Sequence, residues 1–154
     1  MTLFRSATVA DLPAVVRLQA EDTIPVDREL PGEPLDPRYL AAFQAIAGDP
    51  NQLLAVAEDA GEVVGTLQLT FIPGLSFRGA WRGQIESVRI ASDRRNAGLG
   101  AAMIDWAVER CRERNCRLVQ LTSTNSRFDA HRFYERLGFA ASHTGFKLWL
   151  DGNG

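Results

Sequence analysis

Between Arg94 and Gly100 the chain reads R-R-N-A-G-L-G, and it runs without a break into a stretch patterned as an amphipathic helix, Leu99 to Arg114. Leu99, Ala102, Met103, Trp106 and Ala107 mark that helix's apolar stripe. Arg110, Arg112 and Arg114 sit where the negative end of its dipole favours cations. A glycine-rich loop feeding a helix leaves few folds open. Gly98 and Gly100 allow a ligand to approach the backbone closely. The first N–H groups of the helix lack internal partners and carry the positive dipole end. No acidic side chain competes before Asp105, and Arg94 and Arg95 add charge. Such an end suits a phosphate or pyrophosphate. A tight turn with a helix cap explains the same residues equally well.

Around this loop, strand and helix patterns alternate. Residues 2–6 read as a strand and 11–20 as a helix capped by Thr8 or Asp11. Residues 21–37 hold four prolines and six acidic residues against one arginine, so they read as an ordered loop with short turns. A helix follows over 38–47 and stops at G-D-P. Strands are expected over 53–58 and 63–72, joined by a hairpin turn at D-A-G-E. A looser connection covers 73–83, and a third strand of this run covers 84–91. Past the 99–114 helix come a strand over 117–123 and a helix over 126–137, with a capping-box-like S-R-F-D start and a Gly138 stop. One or two strands close the chain over 139–150. The class is mixed α/β.

Composition removes several functions. The 154 residues suit one domain, and a chain of this length buries enough surface to fold without staples. Net charge is −2, from 17 basic and 19 acidic residues, and Lys147 is the only lysine. A nucleic-acid partner is therefore not expected, because phosphate backbones call for a positive excess. No apolar run approaches a membrane span and the N-terminus has no secretory pattern, so a cytoplasmic protein away from membranes is expected. Cys111 and Cys116 are the only cysteines. A spacing of five sets them on different faces of one helix and its exit. No Cys/His quartet completes a metal site, so no metal is expected.

The loop can be compared with known phosphate-binding patterns. A nucleotide-triphosphate loop needs G-K-[ST], but Ala101 and Ala102 follow Gly100. A dinucleotide fingerprint wants a third glycine where Met103 stands. Arg95-Asn96-Ala97-Gly98-Leu99-Gly100 matches [Q/R]-x-x-G-x-[G/A] throughout. It resembles the pyrophosphate loop of the GNAT superfamily of N-acetyltransferases. Ala130 to Phe139, A-H-R-F-Y-E-R-L-G-F, is similar to that superfamily's A-x-x-[FL]-Y-x-x-x-G-F signature. The preceding strand I-E-S-V-R-I-A and the opening F-R-S-A-T-V-A-D-L-P-A-V-V-R-L fit as well, so the resemblance covers nearly the whole chain.

The resemblance implies one acetyltransferase domain over 1–154. It implies a central, mostly antiparallel sheet of six to seven strands, the fourth and fifth splayed apart, flanked by about four helices. It implies acetyl-CoA as cosubstrate and an amine acceptor, small molecule or protein, attacked without a covalent enzyme intermediate. Carried over by position, the backbone of Val88, Arg89 and Ile90 would pair with the pantetheine arm. Arg94, Arg95, Asn96, Ala97, Gly98, Leu99, Gly100 and Ala101 would hold the pyrophosphate. Asn125 would hydrogen-bond the pantetheine, although the family's usual asparagine position is Arg127 here. Tyr134 would protonate the leaving thiolate. Periodicity alone places Tyr134 in a core stripe with Ala130, Phe133 and Leu137.

Glu86 is the candidate base. Deprotonating a lysine-like amine at pH 7 costs about 4.6 kcal/mol, and a carboxylate, directly or through water, accepts that proton. Alternation puts Glu86 on one strand face with Val88 and Ile90. A salt-bridged strand glutamate remains the other reading. His131 and His143 are weaker candidates. Trp81, Arg82 and the acidic 21–37 segment are candidates for the acceptor side. Dimers are frequent among proteins that resemble this chain, so a homodimer stands beside a monomer. A non-catalytic acyl-CoA sensor is the alternative function.

Overall fold

The computed structural model describes residues 1–21 and 28–152. In chain order its elements are β1 (Thr2–Ser6), α1 (Leu12–Ala20), α2 (Pro37–Ala47), β2 (Gln52–Asp59), β3 (Glu62–Ile72), α3 (Ser76–Gly79), β4 (Arg82–Ile90), α4 (Leu99–Glu113), β5 (Leu118–Gln120) and α5 (Phe128–Arg136). Single 3₁₀ turns at Val9–Asp11 and Ser92–Arg94 precede α1 and α4. The chain divides into two compact units, Met1–Leu121 and Thr122–Gly154.

The first unit is built on one sheet in the order β1-β2-β3-β4-β5. Neighbours are antiparallel except β4 and β5, which run parallel. β2 and β3 are joined by a two-residue turn in which Ala60 and Gly61 both have positive φ, 50° and 82°. That is the hairpin turn whose twist matches the strands. The core is Leu12, Val15, Val16 and Leu18 of α1, the consecutive residues Leu54, Ala55, Val56 and Ala57 of β2, Val64, Leu67, Leu69 and Phe71 of β3, Ile85 of β4, and Met103, Ile104, Ala107 and Cys111 of α4. Gly83 sets how close α4 lies. A Cβ there would overlap Cys111 Sγ, so the glycine lets the helix seat directly on β4.

α4 ends in a Schellman motif. Asn115 adopts a left-handed φ of 57°. Its N–H bonds Arg112 O at 2.9 Å, and the Cys116 N–H bonds Cys111 O at 3.0 Å. This turn folds Cys116 back, and the Cys111 thiol donates to it. The expectation that the two cysteines face apart is therefore corrected. Burial first, then Cys116, pushes the Cys111 thiol up to about 12.

Further expectations change. Among the described residues the sheet has five strands, not six to seven, and there are five helices rather than about four. Residues 139–149 form no strand. The loose connection over 73–83 contains α3, a single turn in which Phe77 and Arg78 hold left-handed φ values of 53° and 61°. Finally, α5 starts at Phe128, because Thr124–Arg127 forms a turn closed by Arg127 N–H to Thr124 O at 2.9 Å. Ser126 therefore caps nothing.

Candidate active site

β4 carries the candidate base and ends at the glycine loop, so its register decides what faces where. Gln68 pairs with Glu86, but Thr66 pairs with Arg89. Leu67 alone therefore opposes both Ser87 and Val88, a β-bulge with Ser87 in a left-handed φ of 53°. A non-glycine residue held there stores of the order of 1–3 kcal/mol, and such strain gathers at working sites.

The bulge overturns the expected face-sharing. Partners across a ladder lie on the same face, so Glu86 shares its face with Gln68, Thr66 and Arg89. Ile90 lies on the other face, over Gly65, where its Cδ1 would stand 3.0 Å from an added Cβ. Gly83 and Cys111 show that α4 covers this second face. α1 packs on β3 and β4, and Arg5, aligned through Val56 with Thr66, holds Asp11 at the start of α1, which places the helix on the Glu86 side.

The far edge of β4 is open over most of its length. β5 pairs only with Arg82–Gln84, so Ile85–Ile90 has no strand partner on that side among the described residues. The carbonyls of Val88 and Ile90 take side-chain donors instead, Arg89 Nη1 at 2.9 Å and Arg95 Nε at 3.2 Å.

The edge leads straight into the loop. Asn96 and Gly98 hold positive φ values of 64° and 80°. Gly98 is the N-cap of α4, and no side chain caps the helix. There is no acidic residue in its first turn, and the space beside Gly98 is open. The first intrahelical bond is Ala102 N–H to Gly98 O at 3.1 Å, which leaves the N–H groups of Leu99, Gly100 and Ala101 without helical acceptors. Arg94 and Arg95 are engaged within the fold. Arg94 pairs with Asp59 at the β2–β3 turn, and that contact holds the Asp59 carboxyl below its ordinary range. Arg95 Nη2 lies 3.7 Å from Glu21.

The remaining candidates fall as follows. Trp81 lies on the α4 side, where the Arg114 guanidinium stacks over Phe71 at 4.2 Å and Trp81 at 5.9 Å, so it does not share the Glu86 face. Arg82 is the first residue of β4, opposite Leu118. Of the acidic segment, residues 22–27 lie outside the described residues; Glu29 and Leu30 are tied to the Tyr39 hydroxyl at 3.0 and 2.8 Å. In the second unit, His131 Nε2 is bonded to Thr124 O at 2.9 Å and His143 to Ser142 at 2.6 Å. Asn125 is exposed in the turn before α5. Tyr134 packs edge-on against Phe133 and Phe139, with centroids 5.1 and 5.8 Å away. Among the described residues no three His, Cys, Asp or Glu side chains form a group able to hold a metal ion. Among the described residues no helix is long and apolar enough to cross a membrane.

An open strand edge running into an uncapped helix end is the arrangement expected from the sequence resemblance, and a family model settles the relationship. Residues 13–139 match the model of the acetyltransferase (GNAT) family. The chain belongs to that family. GNAT enzymes move an acetyl group from acetyl-CoA to an amine, and this chain is an N-acetyltransferase of that kind. It is 35% identical over 104 residues to an aminoalkylphosphonate N-acetyltransferase of Salmonella typhimurium, covering 68% of this chain and 67% of the relative. It is 29% identical over 157 residues to an L-methionine sulfoximine/L-methionine sulfone acetyltransferase of Pseudomonas paraeruginosa, covering 96% and 88%. Its fold matches a Bacillus halodurans protein described as a transcriptional regulator, with a TM-score of 0.94, 45% identity and coverage of 97% and 100%.

What the sequence reading missed beside Glu86 is the bulge and the amide of Gln68 directly opposite it. The alternation Thr66, Gln68, Thr70 within β3 was the available signal, since it sets three polar groups on one face of a strand.

Proposed function

We propose that the chain transfers acetyl from acetyl-CoA to a primary amine by direct attack, as a single acetyltransferase domain. The open edge of β4 leading into the Gly98 helix end carries this reading. An extended arm ending in a pyrophosphate needs strand-like backbone partners along its length and N–H donors at its end. Val88 and Ile90 turn carbonyls to that edge, and a bound arm would take the place of the Arg89 and Arg95 side chains that now donate to them. Leu99, Gly100 and Ala101 offer N–H groups. Arg94 holds the loop to the β2–β3 turn, and Arg95 adds positive charge beside it. Acetyl-CoA supplies the activated acyl group when bound. Glu86 accepts the proton of the amine, and Tyr134 protonates the thiolate. Asn125 is the remaining candidate for a pantetheine contact.

A second reading, an acyl-CoA-binding regulator without turnover, draws on the Bacillus halodurans relative's description. One set of measurements separates them. Coenzyme A titrated calorimetrically should bind the wild type and fail to bind Gly100→Glu, whose carboxylate would stand at the helix N-terminus. Thiol release from acetyl-CoA should rise above background with at least one amine of a screened panel. Tight binding with background release throughout would establish the regulator. Unchanged affinity in Gly100→Glu would remove the pyrophosphate assignment.

A further inference from the structure

We infer that the acceptor lies on a floor of side-chain amides beside Glu86, and that it is a small hydrophilic amine with hydrogen-bonding substituents close to its nitrogen. This inference rests on the acetyl-transfer reading above. On the Glu86 face, the register aligns Gln52 with Thr70, Thr70 with Gln84, and Gln84 with Gln120. Four successive strands thus contribute one cross-strand row of three amides and a hydroxyl. Gln68 stands in the adjacent row, directly opposite Glu86. Opposed side chains on a ladder have Cβ atoms roughly 4.5–5.5 Å apart, so Gln68 and Glu86 reach the same group.

The groups are fixed by one another. Gln68 Nε2 and Thr70 Oγ1 both donate to Gln52 Oε1, each at 3.0 Å. Gln120 Nε2 donates to Gln84 Oε1 at 2.7 Å. Each amide therefore spends one end on its neighbour. Gln68 Oε1, Gln52 Nε2, Gln84 Nε2 and Gln120 Oε1 carry no bond to the described residues. Burial falls off along the same face. Thr66, further along under α1, is fully buried with its hydroxyl donated to Ala55 O at 2.9 Å. Gln52, Gln68, Thr70, Gln84 and Gln120 are half-buried. The floor is open to a ligand and too ordered to be a random solvated surface.

The chemistry follows from this inventory. An ammonium donates in three directions and accepts in none. Glu86 and Gln68 Oε1 supply two acceptors at one point. From there the row offers neutral donors and acceptors in alternation, at about 4.8 Å across the strands and about 7 Å along them. Hydroxyl, carboxamide or oxyanion substituents within that reach of the amine are satisfied there. An alkyl or aryl amine would bury those amide ends unpaired, which costs more than the lost bonds themselves.

The test follows thiol release over a panel of matched primary amines, each hydroxylated or carboxylated member beside its alkyl counterpart. The first pair is 2-amino-1,3-propanediol and isopropylamine. The wild type should favour the polar member of the productive pairs by about tenfold or more in kcat/KM, the worth of one to two hydrogen bonds. Gln84→Leu should raise KM for the polar member about three- to tenfold, with kcat and coenzyme A affinity retained. KM for the alkyl counterpart should stay as in the wild type. Gln120→Leu should give the same split, and it carries the comparison where Gln84→Leu does not fold. Equal rates for polar and alkyl amines in the wild type would overturn the inference alone, as would variants that change kcat and KM alike for both members. Thiol release at background with every amine would overturn the transfer reading and this inference with it.

Discussion

Tyr134 sits at the third position from the end of α5, and the residues after it explain its setting. Gly138 takes a φ of 96°, its N–H bonds Glu135 O at 3.0 Å, and the Phe139 N–H bonds Tyr134 O at 3.1 Å. This is a Schellman motif whose customary apolar contact is the Tyr134–Phe139 ring pair. The Y-x-x-x-G-F spacing thus has a local cause: glycine turns the chain so that the phenylalanine braces the tyrosine. Periodicity alone reads Tyr134 as core, and the packing agrees that the ring is structural. The hydroxyl is a separate matter, and Tyr134→Phe separates the two. The substitution keeps ring volume, so loss of a structural hydrogen bond costs about 0.5–1.5 kcal/mol of stability. Loss of a general acid slows transfer roughly 10²–10⁴-fold with little change in coenzyme A affinity. Turnover and melting temperature measured on one preparation decide it; near wild-type turnover would leave Tyr134 structural only. Glu86→Gln is the companion case. Its deficit in turnover should be largest near pH 7 and shrink as pH rises, because the amine then deprotonates unaided. A deficit constant with pH would mark Glu86 as a positioning group.

At the scale of elements, local pattern located most of what is there. β2, β3, α4 and the hairpin turn fall within a residue or two of their expected bounds, because each has a strong period or turn signal in its own sequence. The misses share another origin. β5 shrinks to three residues because β4 pairs with it only over Arg82–Gln84, and 139–149 forms no strand despite its apolar run. A strand depends on a partner that its own residues do not encode. The contact between Gly83 and Cys111 is equally invisible to pattern, since it joins a strand to a helix 28 positions later. It yields a sharp expectation. Gly83→Ala should destabilise by about 1–3 kcal/mol through overpacking. Cys111→Ala removes the overlapping sulfur, so the double variant should recover most of that loss. Urea unfolding of the four proteins gives the coupling energy, and additive losses would show that the two sites do not meet.

For the first unit as a whole, one charged clasp joins its opening segments. Arg5 of β1 grips Asp11 in bidentate fashion at 2.7 and 3.0 Å and also reaches Glu58 of β2 at 2.8 Å. The Asp11 carboxylate further accepts the Thr8 N–H at 2.7 Å. Only 8% exposed, Asp11 has its carboxyl held down at about 2 by these contacts, Arg5 foremost. A depressed carboxyl stabilises the fold above its unfolded value of about 3.9, and that contribution is lost as pH falls towards 2. Its size is of the order of 2–3 kcal/mol. Asp11→Asn should therefore lower the melting temperature at pH 6 and converge on the wild type near pH 2. A gap that persists at pH 2 would mean that Asp11 acts through shape rather than charge. Across the same unit, Ser87 makes β4 one residue longer than the stretch of β3 it faces. The orientation of everything between Glu86 and the glycine loop thus depends on a count of residues more than on their identities. Evolution can exchange side chains along this strand freely within their faces, but a single inserted or deleted codon between Glu86 and Ile90 would turn one half of the strand over relative to the other, and the candidate base and the loop could no longer serve the same bound molecule.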